Sequence, residues 1–559
     1  MQKISIGNQS FASIREKSCF YIDKTDFIRE WWESNDVVSL ITRPRRFGKT
    51  LNMDMLECFF SNQYADRADL FEGLSIWKDN KYRELQGTYP VLFFTFADIK
   101  STNMNDALER IKMNITDLYL QYDFLIKENV LSDKELEQFR SVDYNMKTTI
   151  AEVSLRNLMK YLCHYYGKKV IVILDEYDTP VQEAYISGYW EEMTSFIRNL
   201  FNATFKTNPF LERALMTGIT RVSKESIFSD LNNLEVITTT SEKYAVFFGF
   251  TECEVFQALD EFGLSDRKAD VRNWYDGFTF GKESDIYNPW SITNFLDKKK
   301  LDTYWANTSS NGLIATLIQA GDMQTKQAME DLLEKKTLLT ELDEQIVFGQ
   351  LDEDETTIWS LMLASGYLKQ IAMKETTEGI RQYELALTNK EVQIMFRNMI
   401  KKWFHRKGAS AYNEFIRAFL QNDKKAMNHY MNKIALHTFS YFDTGKEPSE
   451  QEPERFYHGF VLGLIVELRD RYSITSNRES GFGRYDVMLE PISAGDIAYV
   501  LEFKVYDREV EETLQDTLAA AHRQIEEKQY DANLLAKGIK KENIRHYGFA
   551  FRGKEVLIG

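Results

Sequence analysis

Val37–Thr50 reads VVSLITRPRRFGKT, and the reading of the whole chain starts there. Val37–Thr42 is a short apolar run rich in β-branched residues, as a buried strand requires. Leu51–Phe60 carries apolar residues at helical spacing. The turn between them, Arg43-Pro44-Arg45-Arg46-Phe47-Gly48-Lys49-Thr50, is where a phosphate-binding loop must sit. Backbone N–H groups and a helix N-terminus collect phosphate at such a turn. Arg46 and Gly48 would help form the cradle, Lys49 would reach the β- and γ-phosphates, and Thr50 would hold Mg²⁺. The match to GxxxxGK[ST] is incomplete, because Arg43 stands at the first glycine. That position must avoid positive φ or find another geometry.

A second stretch completes the reading. Lys168–Asp178 (KKVIVILDEYD) is an apolar strand that ends in paired acids. In an ATPase Asp175 would hold the Mg²⁺ shell and Glu176 would polarise the attacking water. A third strand, Glu212–Thr217, runs into Gly218-Ile219-Thr220-Arg221. Thr217 is a candidate polar sensor near the γ-phosphate. Arg221 is a candidate phosphate contact in cis or toward a neighbouring subunit, with a plain salt bridge as the alternative. The cluster Arg43, Arg45 and Arg46 either attracts a polyanion or balances Asp175, Glu176 and Asp178.

Working outward, residues 1–250 alternate short apolar runs with helical patterns. Further strands are expected at Val91–Phe96 and Ala214–Gly218, and helices at Asn103–Tyr119 and Ile150–Tyr166. This alternation predicts an α/β domain with a P-loop ATPase-type parallel sheet. Residues 251–440 read mainly as helix, with a winged-helix-like hairpin across Gly366–Leu387. The polar, proline-bearing stretch Asp443–Pro453 marks a boundary, and residues 441–559 read as an α+β domain.

At this point the chain resembles a family. Ile6–Ile28 (IGNQSFASIREKSCFYIDKTDFI), the RPRRFGKT loop, the LDEYD strand and Thr217–Leu234 (TGITRVSKESIFSDLNNL) look like the AAA-ATPase-like proteins of bacteria. Arginine at position 43 is the form expected in that family. Its members commonly end in a PD-(D/E)XK nuclease-like domain of restriction-endonuclease type. The resemblance includes Trp274–Trp290 (WYDGFTFGKESDIYNPW), read as a packed loop supporting an interdomain contact, with direct contact to nucleotide or nucleic acid as the alternative.

The C-terminal region carries its own chemistry. Fifteen residues separate Asp486 from Glu502, and Glu502-Phe503-Lys504 lies on the strand Tyr499–Val505. Residues i and i+2 of a strand share a face, so Glu502 and Lys504 point together and Phe503 points away. Two carboxylates and a lysine suit metal-dependent phosphodiester cleavage. Asp486 and Glu502 would ligate Mg²⁺ or Mn²⁺, and Lys504 would position or deprotonate a water. The alternative is an exposed sheet face with an ordinary salt bridge. The resemblance adds Glu454 as an extra metal-ligating acid and Gln524, in a QxxxxxY pattern, as a supporting residue. His458 is read as a structural hydrogen-bonding residue, with contact to phosphate as the alternative. Arg478 and Arg484 are read as substrate contacts or solvated loop arginines.

Composition bounds the rest. The chain has 559 residues, and 69 Lys+Arg against 85 Asp+Glu leave a net charge of −16. From Asp443 to Gly559 there are 16 Lys+Arg and 22 Asp+Glu, so the acid surplus reaches the suspected nuclease region. Bulk charge would therefore bind a nucleic acid weakly, and a local basic lining, a partner or an oligomeric channel must hold it. No apolar run approaches the roughly 18–20 residues of a membrane helix. The N-terminus lacks the apolar core of a secretory signal, and the four cysteines have no metal or disulfide spacing, which suits a cytoplasmic protein. The expectation is an ATP-binding and ATP-hydrolysing protein, possessing Mg²⁺ or Mn²⁺ sites, whose nucleotide state regulates cleavage of nucleic acid, DNA favoured. The main alternative is a nucleotide-switched regulatory or nucleic-acid-binding protein that does not cut. A motor with a vestigial nuclease domain is the third. A homo-oligomer would follow from an arginine acting in trans.

Overall fold

The architecture is taken from a computed structural model. It describes residues 2–221, 227–228, 230–306, 314–315, 317–318, 323–342, 355–376, 379–442, 461, 465, 468, 471–480, 483–493, 495–507, 510–553 and 555–559. The chain divides into two compact units, residues 1–318 with 331–395, and residues 319–330 with 396–559.

The first unit is built on a five-stranded sheet in the order β2-β3-β4-β1-β5. Its strands are β1 (Val38–Thr42), β2 (Val91–Thr95), β3 (Val170–Asp175), β4 (Leu211–Gly218) and β5 (Leu234–Ile237). Every pairing is parallel. Parallel strands covered by helices on both faces need apolar residues at every position. Accordingly β1 and β3 are buried along their whole length. Helix α1 (Lys49–Phe60) leaves β1, and α2 (Met104–Leu120) and α3 (Thr148–Tyr166) precede β3. Gly167, in the left-handed region, ends α3 just before the strand begins. Helices α4 (Thr179–Ser187) and α5 (Trp190–Phe205) connect β3 to β4. The consequence for function is that β4 lies between β1 and β3. The ends of these three strands open on one edge, where ligands of such sheets bind.

The aromatic stretch 274–290 corrects the reading of a packed loop. It forms strands β7 (Asp276–Phe280) and β8 (Glu283–Tyr287), which join β6 (Phe250–Thr251) in a small antiparallel sheet. It ends on the first residues of α6 (Pro289–Lys298). Further along come β9 (Leu338–Glu341), α7 (Glu355–Ala364) and the hairpin of β10 (Leu368–Glu375) and β11 (Arg381–Leu387). These three strands form a sheet in the order β10-β11-β9. Thr357–Leu363 of α7 is buried at every position.

Helix α8 (Lys390–Gln421) crosses from the first unit's residues into the second's, and α9 (Lys424–Phe442) follows. Phe415, Phe419, Met427 and Met431 from these helices share a core with Val487, Leu501, Phe503 and Phe549. Residues 415–435, assigned from sequence to the helical middle, thus share a core with the C-terminal sheet. That sheet has the order β12-β13-β14-β15-β16. Its strands are β12 (Tyr472–Ser480), β13 (Gly483–Pro491), β14 (Ala498–Val505), β15 (Ile544–Arg552) and β16 (Glu555–Ile558). Helix α10 (Leu514–Glu527) links β14 to the parallel strand β15.

Candidate nucleotide and carboxylate–lysine sites

The nucleotide loop explains its own departure from the glycine pattern. Arg46 and Gly48 take positive φ, at 65° and 78°, and Arg43 does not. Gly48 in the left-handed region turns the backbone into α1, which a side chain would oppose. Arg43 does not face the phosphate cleft, which corrects its place in the phosphate-binding cluster. It is fully buried. Its guanidinium donates to the carbonyls of Thr42 (2.9 Å) and Thr238 (2.6 Å) and lies 4.6 Å from the Phe280 ring centre. Burial pulls its pKa down to about 9. An arginine here replaces the glycine's small size with a tether to β5 and the hairpin.

Lys49 donates to the carbonyls of Arg43 (3.0 Å) and Pro44 (2.9 Å), inside its own loop. Burial lowers its pKa, while Glu176, Asp175 and Asp178 oppose that effect. Asp175 ends β3 and is almost fully buried. One carboxylate oxygen accepts from Thr50 Oγ1 at 2.7 Å. The other accepts from Thr217 Oγ1 on the intervening β4 and from the Glu176 backbone N–H at 3.1 Å. Burial raises the Asp175 pKa, and the two threonine hydroxyls hold it back. The structure therefore brings Thr50, Asp175 and Thr217 together, with Lys49 beside them. Their hard oxygen donors fit Mg²⁺.

Glu176 follows with φ 54°, an uncommon conformation for a non-glycine residue. Its carboxylate accepts from Thr179 Oγ1 at 3.2 Å. Asp178 plays a part that sequence reasoning missed. It is buried and accepts from the backbone N–H groups of Ile219 and Thr220, both at 2.9 Å. It also accepts from Thr220 Oγ1 and Gln182 Nε2. The carboxylate thus pins the exit of β4, where Thr217 sits. Only the third acid of DEYD hinted at it.

A cleft of about 450 Å³ opens over this loop. Arg45, Arg46, Gly48, Lys49, Thr50 and Glu176 line it, and so do Asn8, Tyr21 and Trp290. Arg221 is not among its lining residues. The volume falls in the range of small-ligand sites.

In the second unit, Asp486 precedes and Glu502 follows the paired residues Val487 and Leu501 of β13 and β14. Asp486 accepts from the Phe503 N–H at 2.7 Å. Phe503 points into the core beside Phe549, as the alternation requires, and Glu502 and Lys504 take the other side. Lys504 Nζ stands 4.0 Å from Glu502 Oε1. Gln524 of α10 donates both to Glu502 Oε1 and to the Tyr530 hydroxyl at 3.0 Å. Gln524 and Tyr530 are the two ends of the QxxxxxY pattern, and Tyr530 was the end not singled out. Lys528 is exposed at the end of α10. Glu454 and His458 lie outside the described residues, as do the side chains of Arg478 and Arg484. Among the described residues no group of three or more His, Cys, Asp or Glu is arranged around a metal position. Asp486 and Glu502 supply two carboxylates, which with water is a donor set suited to Mg²⁺ or Mn²⁺.

Comparison with known proteins agrees with this division. Residues 5–228 match the family model AAA-ATPase_like, described as a predicted AAA-ATPase. Residues 452–559 match a model of the PD-(D/E)XK nuclease superfamily. The chain is similar over its full length to an uncharacterised protein in the vnfD 5′ region of Azotobacter chroococcum, at 25% identity, with 98% of that protein covered. Among solved structures, the Aeropyrum pernix ORC2 protein in ADPNP–ADP complexes matches at 10% identity and a TM-score of 0.24. That match covers 67% of this chain and 92% of the other. Among the described residues no helix is long and apolar enough to cross a membrane. The N-terminal part of the chain is thus similar to an AAA-ATPase-like domain and its C-terminal part to a domain of the PD-(D/E)XK nuclease superfamily.

Proposed function

We propose that this protein is an ATP-regulated, metal-dependent nuclease of the cytoplasm, acting on DNA in preference to RNA. The observation that carries the first half is the set Lys49, Thr50, Asp175 and Thr217 at the ends of three neighbouring strands. In this reading Lys49 leaves the Arg43 and Pro44 carbonyls for the β- and γ-phosphates, and the Gly48 and Arg46 backbone cradles them. Thr50 and Asp175 hold Mg²⁺, which neutralises phosphate charge when bound. Glu176 leaves Thr179 to orient the attacking water. Thr217 keeps Asp175 in place, and Arg221 acts in cis or toward a second copy of the chain, in which case the working form is a homo-oligomer.

The second half rests on Asp486, Glu502 and Lys504 on one side of a two-strand ladder. Asp486 and Glu502, with Glu454, would ligate Mg²⁺ or Mn²⁺, which stabilises charge on the cleaved phosphate. Gln524 fixes the Glu502 carboxylate, and Lys504 positions or deprotonates water. Three functional parts follow from this reading: an ATPase part at 1–250, a helical middle that begins at 251, and a nuclease part at 441–559 that shares its core with the helices of residues 415–435. The alternative, a nucleotide-switched binding protein that does not cut, differs in one measurement. Labelled single- and double-stranded DNA and RNA are incubated with wild type and Glu502→Gln in Mg²⁺, Mn²⁺ or EDTA. Metal-dependent cutting by wild type that Glu502→Gln abolishes supports the nuclease reading. Cutting that survives EDTA or the substitution overturns it.

A further inference from the structure

The aromatic stretch Trp274–Trp290 has so far no task, although it touches two functional places. At one end it packs on the nucleotide loop. Phe47 meets the Phe278 and Phe280 rings at centroid distances of 4.7 and 5.4 Å. Asn288 Nδ2 donates to the Arg45 carbonyl at 3.3 Å and its Oδ1 caps α6. The Arg46 guanidinium lies 4.4 Å from the Trp290 ring centre. At the other end the stretch grips the start of α8. Asn389 Nδ2 donates to the Tyr275 carbonyl at 3.1 Å. A Cβ on Gly277, at φ 134°, would stand 2.0 Å from the Thr388 carbonyl oxygen, so only glycine permits this approach. The Lys390 ammonium lies 4.6 Å from the Trp274 ring centre.

One buried group closes the connection. Ser291, next to Trp290, donates to Glu391 Oε2 at 2.8 Å. Glu391 Oε1 accepts from the backbone N–H groups of Trp305 at 2.6 Å and Ala306 at 3.4 Å. Glu391 is fully buried in the first turn of α8. Helix α8 runs for 32 residues, and Phe415, Ala418 and Phe419 near its far end belong to the core of the second unit.

We propose that Trp274–Trp290, with Ser291 and Glu391 as positioning residues, reports the state of the nucleotide loop to the first turns of α8. The inference rests on the nucleotide-binding reading given above. The physical ground is competition for Arg46. Its guanidinium is a cation held on an indole face while its backbone sits in the left-handed region. A phosphate arriving in the loop offers that cation charge-assisted hydrogen bonds, which a ring face cannot match. Trp290 then loses its partner at the first turn of α6. Ser291 carries the displacement to Glu391, because a buried polar network tolerates no half-satisfied state.

The test is hydrogen exchange in the full chain, with and without Mg²⁺ and a non-hydrolysable ATP analogue. In wild type the amides of Gly48–Asn52 slow, and those of Glu391–Phe396 change by at least about fivefold, the low end of usual coupling. In Ser291→Ala and Glu391→Gln the loop amides still slow and the change at Glu391–Phe396 disappears. Loop protection in wild type with no change in α8, or variants that keep the α8 change, would overturn the proposal. If the loop amides do not slow at all, nucleotide binding itself fails and the relay falls with it, and the two failures are told apart by that signal.

Discussion

Thr217→Val isolates the part of the nucleotide site that the sheet order creates. Thr217 is fully buried, and its hydroxyl donates to the buried Asp175 carboxylate. Valine has the same shape, so the substitution opens no cavity and removes one hydrogen bond to a charged acceptor. Such a bond contributes about 1.5–3 kcal/mol, so a loss of about 2 kcal/mol is expected at pH 8. Thr217→Ser keeps the bond and loses a methyl, for a loss of about 1 kcal/mol that does not vary with pH. The sign of the pH effect follows from the raised Asp175 pKa. The folded state keeps its proton to higher pH than the unfolded state does. Wild-type stability from this group is therefore full at low pH and lost as pH rises from the unfolded value of about 3.9 through the folded one. Removing the donor raises the folded pKa further, so the valine penalty grows with pH and shrinks on acidification. Eight of the nine tryptophans fall in the first unit, so urea unfolding followed by tryptophan fluorescence reads that unit. A valine penalty no larger than the serine penalty at pH 8, or one that shrinks as pH rises, would refute the reasoning.

Further outcomes follow from other contacts. Arg43→Gly, which restores the usual loop glycine, leaves the Thr42 and Thr238 carbonyls without their donor, and unfolding should come earlier by about 2–4 kcal/mol with no gain in nucleotide affinity. Gln524→Leu removes the donor to Glu502 and should lower metal affinity or cleavage rate by about 10–100-fold, while Tyr530→Phe, which keeps that donor, costs less. Burial pushes the Glu391 carboxyl up to about 7. Its contribution is therefore lost as pH rises from about 4.3 toward that value, and wild type should lose stability relative to Glu391→Gln between pH 5 and 8.

The residues grouped at the candidate nucleotide site were legible because they lie on contiguous elements. A strand, a GKT turn and a helix are contiguous, and LDEYD ends a strand whose apolar run is unmistakable. Thr217 stood out as the polar end of ERALMT, but its bond to Asp175, a contact across 42 positions, did not. The role of Asp178 was not, because it depends on the neighbouring exit of β4, a contact across 42 positions. Arg43 misled for a related reason. A cation beside two other arginines reads as a phosphate ligand or a counter-charge to Asp175, Glu176 and Asp178 until Thr238 and Phe280, far along the chain, are seen to surround it. In the second unit the period-two rule placed Glu502, Lys504 and Phe503 on their faces without help. The cover of that sheet by α8 and α9 was hidden, because a helical apolar stripe does not name the surface that buries it. The hairpin within Trp274–Trp290 was hidden too, since short aromatic runs fit a strand or a packed loop equally.

The central claim is that nucleotide in one domain governs cutting in the other. It is tested most directly by cleavage of labelled duplex DNA in Mg²⁺, with and without ATP, by wild type, Lys49→Ala and Lys504→Ala. The account predicts that ATP changes the wild-type rate, that Lys49→Ala cuts at one rate whether or not ATP is present, and that Lys504→Ala does not cut. A Lys49→Ala protein that keeps the wild-type response to ATP, or a Lys504→Ala protein that still cuts, would contradict it.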